Sequence, residues 1–280
     1  MRTALVLAAA LIVAPSAAAA DATTAAVMAE LPSDVTMVAS IDVARARKAS
    51  AFRKLPEKLR RSADALGIGR VWLAVPASAV DGQKRMAMMA TTTIDEARLV
   101  AHLERTRGKT EARRAHERTY HLVDGDGWAL VDGMLLVASA DYIERVLERD
   151  GAAATDDPSL AAAVAAAERS GGHAWMALVL PETLRGQLRS NTMAAPFADM
   201  RWLAAHATLG RGARYGVELR AAKDSDATAI ATLLTSTVQM MGTSESALKT
   251  MTFRADGSSV HSSGAITAAQ LDSFAKTFSL

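Results

Sequence analysis

A chain of 280 residues with 32 basic and 30 acidic side chains carries a net charge of only +2, so no global field holds it to nucleic acid or to an anionic membrane. It has no cysteine, which excludes disulfides, thiolate metal sites and a cysteine nucleophile. Half of its residues are hydrophobic, enough for a core that needs no covalent staples.

The chain opens with Arg2, an apolar run Ala4–Val13, and small residues from Pro15 to Ala20, the layout of a secretory signal peptide. The run is short of the ~20 apolar residues that a transmembrane helix takes. No later stretch is long enough either, so no transmembrane segment is expected. No cysteine follows the cleavage region to carry a lipid. The expected product of cleavage near Ala20 is a periplasmic or secreted protein that begins near Asp21.

Residues 21–30 are small and Ala-rich and read as a lead-in. Leu31-Pro32-Ser33-Asp34 then introduces a strand over Val35–Asp42, where Val35, Met37, Ala39 and Ile41 alternate with Thr36 and Ser40. The region Ala44–Leu66 has helical spacing (Phe52, Leu55, Leu59, Leu66), interrupted at Pro56. Strands follow at Val71–Val75 and Arg85–Thr92. Thr93 and Glu96 form a capping-box pattern that opens a helix over Ile94–Arg107, stopped by Gly108. After a basic loop, Lys109–Arg118, come three apolar runs: Tyr120–Val123, Trp128–Val131 and Met134–Ala138. The breaks between them carry Asp-Gly, the tight-hairpin signal, because such turns need positive φ. Ile143, Val146 and Leu147 then mark a short helix.

Gly151–Asp156 reads as a linker, dividing a first half (31–150) from a second (157–280). Pro158 opens an Ala-rich helix to Glu168. The expected elements beyond it are a strand Ala174–Leu180, a helix Glu182–Arg189 and strands Trp202–Leu209 and Tyr215–Ala221. A longer helix over Asp226–Met241 precedes a hairpin, Thr250–Arg254 with Ser259–Ala265, around Asp256-Gly257. Thr267 and Gln270 begin a last helix whose stripe is Leu271, Phe274, Ala275 and Phe278. The two halves match in pattern: Val35–Leu55 with Ala174–Leu188, Arg85–Glu104 with Tyr215–Leu234, and Leu135–Leu147 with Val260–Phe278. An internal repeat is expected.

The signal peptide, the Leu31-Pro32-x-Asp34 start, the strand ending in Ile41-Asp42, and the Asp-Gly meander with Leu135, Val137 and Ala138 resemble certain exported bacterial proteins built of repeated ferredoxin-like modules. The resemblance implies an α+β fold of two ferredoxin-like halves, each an antiparallel-rich sheet with helices on one face, and an exported location. It brings no catalytic residues.

Motifs that could carry chemistry are sparse. Ser246-Ala-Leu-Lys249 fits S-x-x-K, but the companion motifs of acyl-serine enzymes are missing. Arg107-Gly108-Lys109-Thr110 ends like a phosphate loop, yet Leu103 stands where the first glycine is required. Asp124-Gly-Asp126-Gly could offer oxygens to calcium, but no trailing glutamate completes a loop. Met37, Met86, Met88 and Met89 are soft metal ligands by type but alternate as core residues do. The six histidines (102, 116, 121, 173, 206, 261) show no metal-ligand spacing. No metal or cofactor is expected.

The most suggestive feature is charge. Arg45, Arg47, Lys48, Arg53, Lys54, Lys58, Arg60 and Arg61 crowd the first helical region against Glu57 and Asp64 alone. Aromatic residues are not interleaved with them, which argues against nucleic-acid stacking. The candidate surface for an anionic partner is Arg53, Lys54, Lys58 and Arg61. The sequence thus reads as a non-enzymatic exported module that binds a protein or an anionic envelope component. The alternatives are an exported hydrolase with a dispersed Ser/His/Asp site and a peripheral envelope protein held by the basic helix.

Overall fold

The structure, a computed structural model, describes residues 22–50, 52, 57–79, 85–148, 152–241 and 251–270. Met1–Ala20, Arg53, Lys54, Ser246–Lys249 and the stripe Leu271–Phe278 lie outside the described residues. The protein is α+β, and every strand pairing within its units is antiparallel. It divides into two compact units. One takes the described residues of Asp21–Ala44 and Leu55–Asp157, the other those of Arg45–Lys54 and from Pro158 onward.

In the first unit the strands are β1 (Val35–Asp42), β2 (Arg70–Pro76), β3 (Ala87–Thr91), β4 (Glu111–Ala115), β5 (Arg118–Val123), β6 (Asp126–Val131) and β7 (Met134–Ser139), in the spatial order β1-β2-β3-β7-β6-β5-β4. The order is fixed at its centre by the two Asp-Gly turns. Asp124 and Gly125 have φ of 52° and 80°, Asp132 and Gly133 have 48° and 79°. Two consecutive left-handed residues make the hairpin turn whose twist matches the flanking strands. Val123 therefore faces Asp126, and Val131 faces Met134. With the register set, Tyr120, Trp128, Leu135 and Leu136 are buried.

Two elements differ from expectation. The lead-in is a helix, α1 (Ala22–Glu30), with Val27 and Met28 buried and Thr24 accepting the indole N–H of buried Trp72 at 3.2 Å. Its buried last residue, Glu30, is held by the Arg118 guanidinium at 3.2 Å. The basic loop contains β4, an edge strand whose charged side chains face water on both sides, so it has no hydrophobic alternation to reveal it. Met89 is buried in register between Trp72 and Leu136, as its alternation predicts, while Met37, Met86 and Met88 are half-buried.

The ferredoxin-like topology requires correction. In such a module the third strand inserts between the first and the second, splitting a βαβ unit. Here β1 pairs directly with β2, from Met37 against Val75 to Asp42 against Arg70. The chain between them, which includes α2 (Val43–Ala46) and α3 (Glu57–Ala65), brings β2 back antiparallel on the adjacent position. Residues 152–156, read as linker, are tied to the start of the fold. Ser33 N–H donates to the Ala152 carbonyl at 3.1 Å, Ala154 N–H donates to that of Leu31 at 2.9 Å, and Ala154 is buried.

The second unit orders β8 (Ala174–Leu178), β9 (Trp202–Leu209), β10 (Ala213–Arg220), β12 (Ser259–Ile266) and β11 (Arg254–Asp256) side by side. As in the first unit, the second strand pairs with the first and the third strand pairs with the last. The remaining helices in chain order are α4 (Glu96–Arg107) and α5 (Ile143–Glu148) of the first unit, then α6 (Pro158–Arg169), α7 (Glu182–Arg189), α8 (Ala195–Ala198) and α9 (Asp224–Met241). Ala227, Ile230 and Ala231 of α9 pack with Leu219 and Val260, as its spacing predicts. Arg185 ties α7 to α8 by donating to the carbonyls of Leu180 and Ala198 at 3.0 and 2.7 Å. Thr267 and Gln270 make the reciprocal bonds of the expected capping box, at 2.9 and 3.2 Å.

Helix α5 sits directly on β6. A Cβ at Gly127 would stand 2.6 Å from the Ile143 side chain, so only glycine lets the helix approach this closely. Gly127→Ala should lower the unfolding free energy by about 1–3 kcal/mol, the usual cost of overpacking, measured by urea denaturation. An unchanged midpoint would mean that α5 is not seated on the strand.

Candidate functional site: a cleft beside helix α4

Helix α4 starts at Asp95, not at the expected Thr93. The Asp95 carboxylate accepts the Arg98 N–H at 2.8 Å and caps the helix. Thr93 is occupied elsewhere: its side chain packs against Gly67, leaving no room there for a Cβ. Gly108, at φ 109°, ends the helix, which disposes of the phosphate-loop reading.

One face of α4 is spent on the sheet. Leu99 and Leu103 are buried, and charged residues fasten both ends. Near the start Glu96 meets His121 of β5 at 3.1 Å. At the end the Arg107 guanidinium lies 5.2 Å from the Trp128 ring centre and bonds Asp126 at 3.0 Å. Asp126 is therefore an ion-pair partner within a hairpin, not part of a calcium loop.

The other face, Arg98, Ala101, His102 and Arg105, lines a cleft of about 320 Å³. Across it lie Asp64, Ala65, Leu66 and Gly67 at the end of α3, with Thr93 and Ile94. The end of α3 is a Schellman turn. Gly67, at φ 60°, donates to the Asp64 carbonyl at 3.1 Å, and Ile68 donates to that of Ala63 at 2.9 Å. The Thr92 hydroxyl bonds the Leu66 carbonyl and fixes the turn to the start of the α4 segment. Both walls are thus anchored to one sheet.

Charge divides the cleft. Arg98 and Arg105 are on the α4 wall; Asp64 is on the α3 wall. The Arg105 guanidinium donates to Nδ1 of His102 at 3.3 Å. Partial burial, and then the positive charges of Arg105 and Arg107, hold the His102 imidazole below its ordinary value of 6.5. Arg98 keeps an exposed ion pair with Asp95 at 3.5 Å.

Of the residues proposed from sequence to meet an anionic partner, Lys58 and Arg61 lie on α3, and the Arg61 side chain is exposed. Arg53 and Lys54 are outside the described residues. The cleft itself was missed, although Arg98, Ala101, His102 and Arg105 keep the spacing of one helical face. The other histidines have structural surroundings. His173 Nδ1 accepts the Leu209 N–H at 2.8 Å, His206 covers Gly216 on the neighbouring strand, and His261 is exposed. Among the described residues no cluster of three or more His, Asp or Glu side chains could hold a metal.

The lowered His102 value has a definite sign. Folding favours the neutral ring, so its contribution to stability is present above pH 6.5 and fades as pH falls through the lowered folded value. NMR titration of the histidine ring protons should place the His102 midpoint below 6.5, and Arg105→Ala should raise it. A midpoint that Arg105→Ala leaves unmoved would contradict the electrostatic contribution.

No model of a known protein family matches this chain, and no curated protein does. Its fold is similar to that of TP0453 of Treponema pallidum. In crystal form III of that protein the TM-score is 0.54 at 13% identity, over 90% of this chain and 98% of that one. Form IV gives 0.54 at 12%, over 88% and 95%. Form I gives 0.51 at 11%, over 93% and 98%. At such identities the likeness is one of fold. Among the described residues no helix is long and apolar enough to cross a membrane.

Proposed function

We propose that this protein is exported, with Met1–Ala20 removed as a signal peptide, and that it acts without catalysis by binding an anionic component of the cell envelope. The observation that carries this reading is the run of eight basic residues between Arg45 and Arg61, opposed there by Glu57 alone. In a chain whose total charge nearly cancels, such a run is a local positive field, and it attracts polyanions at ranges set by salt screening. Arg53, Lys54, Lys58 and Arg61 are the proposed contact residues. Arg61, exposed on α3, supports this assignment. The strand order common to the two units supports reading the halves as an internal repeat.

Reversing Arg53, Lys54, Lys58 and Arg61 to Glu together tests the assignment. Single surface changes of this kind move stability by about 0.5 kcal/mol or less, so the variant should stay folded. Wild-type protein should co-sediment with anionic vesicles or with isolated cell-wall material at low salt and less so at moderate salt. The reversed variant should not. Equal sedimentation of both proteins, or of neither, would leave the basic run as a solvated surface.

A further inference from the structure

The polar capacity of the cleft between α3 and α4 is open on one wall only. On the α3 wall the acceptors are spent. Gly67 N–H takes the Asp64 carbonyl, Ile68 N–H that of Ala63 and the Thr92 hydroxyl that of Leu66. Asp64 has a further partner of its own.

The groups that remain, on the α4 wall, are donors. The Arg98 pair with Asp95 is 3.5 Å long and exposed on both sides, so it contributes little and yields easily. Arg105 gives one N–H to Nδ1 of His102 and keeps its other donors. A guanidinium can only donate, so Nδ1 accepts and the neutral ring carries its proton on Nε2. His102 is therefore a third donor among the lining side chains. Burial and the charges of Arg105 and Arg107 keep that ring neutral, and the same positive field draws an anion.

Spacing and charge narrow the ligand. Arg98 and Arg105 stand two turns apart on one helix face, about 10 Å along the axis, a gap that two arginine side chains can close around a single group. His102 lies between them. A carboxylate brings one charge and suits one guanidinium. A phosphomonoester brings nearly two charges and three acceptor oxygens, which matches two guanidinium groups and an imidazole N–H. Ala65, Leu66, Ile94 and Ala101 add apolar surface, and about 320 Å³ leaves room for a small organic body. We propose that the cleft binds a phosphate group, free or carried by a small organic molecule, between Arg98, His102 and Arg105. This inference is independent of the basic run, since none of Arg53, Lys54, Lys58 or Arg61 lines the cleft.

NMR titration of the full chain tests it, with the His102 ring protons as local reporter. Inorganic phosphate, glycerol phosphate and acetate are added at a constant pH of about 7.5, where a phosphomonoester is close to fully charged. At least one phosphate should move the His102 signals more than those of the other histidines, with a Kd of about 0.1–1 mM. Acetate should bind at least about tenfold more weakly. Tighter binding of glycerol phosphate would assign the site to organic phosphates, and tighter binding of the inorganic ion would assign it to free phosphate. Arg98→Ala and Arg105→Ala should each cost about tenfold in affinity, as loss of a charged hydrogen bond does. Ala101→Leu, a good helix former on an exposed position, should fill the cleft and abolish binding with the melting curve unchanged. The proposal is overturned if neither phosphate binds by about 10 mM, if acetate binds as tightly as they do, or if the three variants bind like the wild type.

Discussion

Everything in the first unit depends on two turns in which consecutive residues take left-handed backbone. Asp124-Gly125 and Asp132-Gly133 each reverse the chain in two residues, and each requires positive φ at both positions. A slip of one residue in either hairpin would turn every side chain of a strand to the opposite face. Tyr120, Trp128 and Leu136 would then leave the core, and the helices would lose the surface they rest on. Asp-Gly supplies the conformation at little steric cost, because the glycine has no Cβ and the aspartate is among the few side chains that tolerate it.

From that register follows the position of α4. Leu99 and Leu103 drive it onto the sheet, and the charged contacts at its ends, Glu96 with His121 and Arg107 with Asp126 and Trp128, decide where along the sheet it stops. These polar contacts are partly exposed, so their energetic share is modest and their role is positional. With one face committed, the opposite face presents Arg98, Ala101, His102 and Arg105 toward the Schellman turn that closes α3. The cleft is what remains between two helix segments that are each fastened to the sheet for other reasons.

What the sequence disclosed follows the same physics. The meander was legible because its turns demand rare residues at fixed places. Helix α9 was legible through its spacing, and the pair Thr267–Gln270 through its capping pattern. Helix α1 was not, since a run of alanines with Val27 and Met28 has no polar face to set its period. Strand β4 was hidden by charges that an edge position accepts freely. The start of α4 was misplaced because two candidate caps stand two residues apart, and only packing against Gly67 shows that Thr93 is spoken for. The ferredoxin-like order failed because hydrophobic pattern says which segments are strands, not which pair. The cleft was invisible for a similar reason, as its walls come from segments separated by two strands. The basic run was plain in the sequence, and its significance rests on charge density rather than on geometry.

The backbone claim at the base of this account can be isolated. At Gly133 a Cβ would meet nothing within 4 Å, so Gly133→Ala adds no clash and charges the protein only for its φ of 79°. Gly186, on α7, is equally open but has no positive φ. Denaturant unfolding of both variants should show Gly133→Ala less stable by about 1–2 kcal/mol, and Gly186→Ala more stable by about 0.5–1 kcal/mol. If Gly133→Ala instead unfolds at the wild-type midpoint, the left-handed turn is not what holds the meander in register.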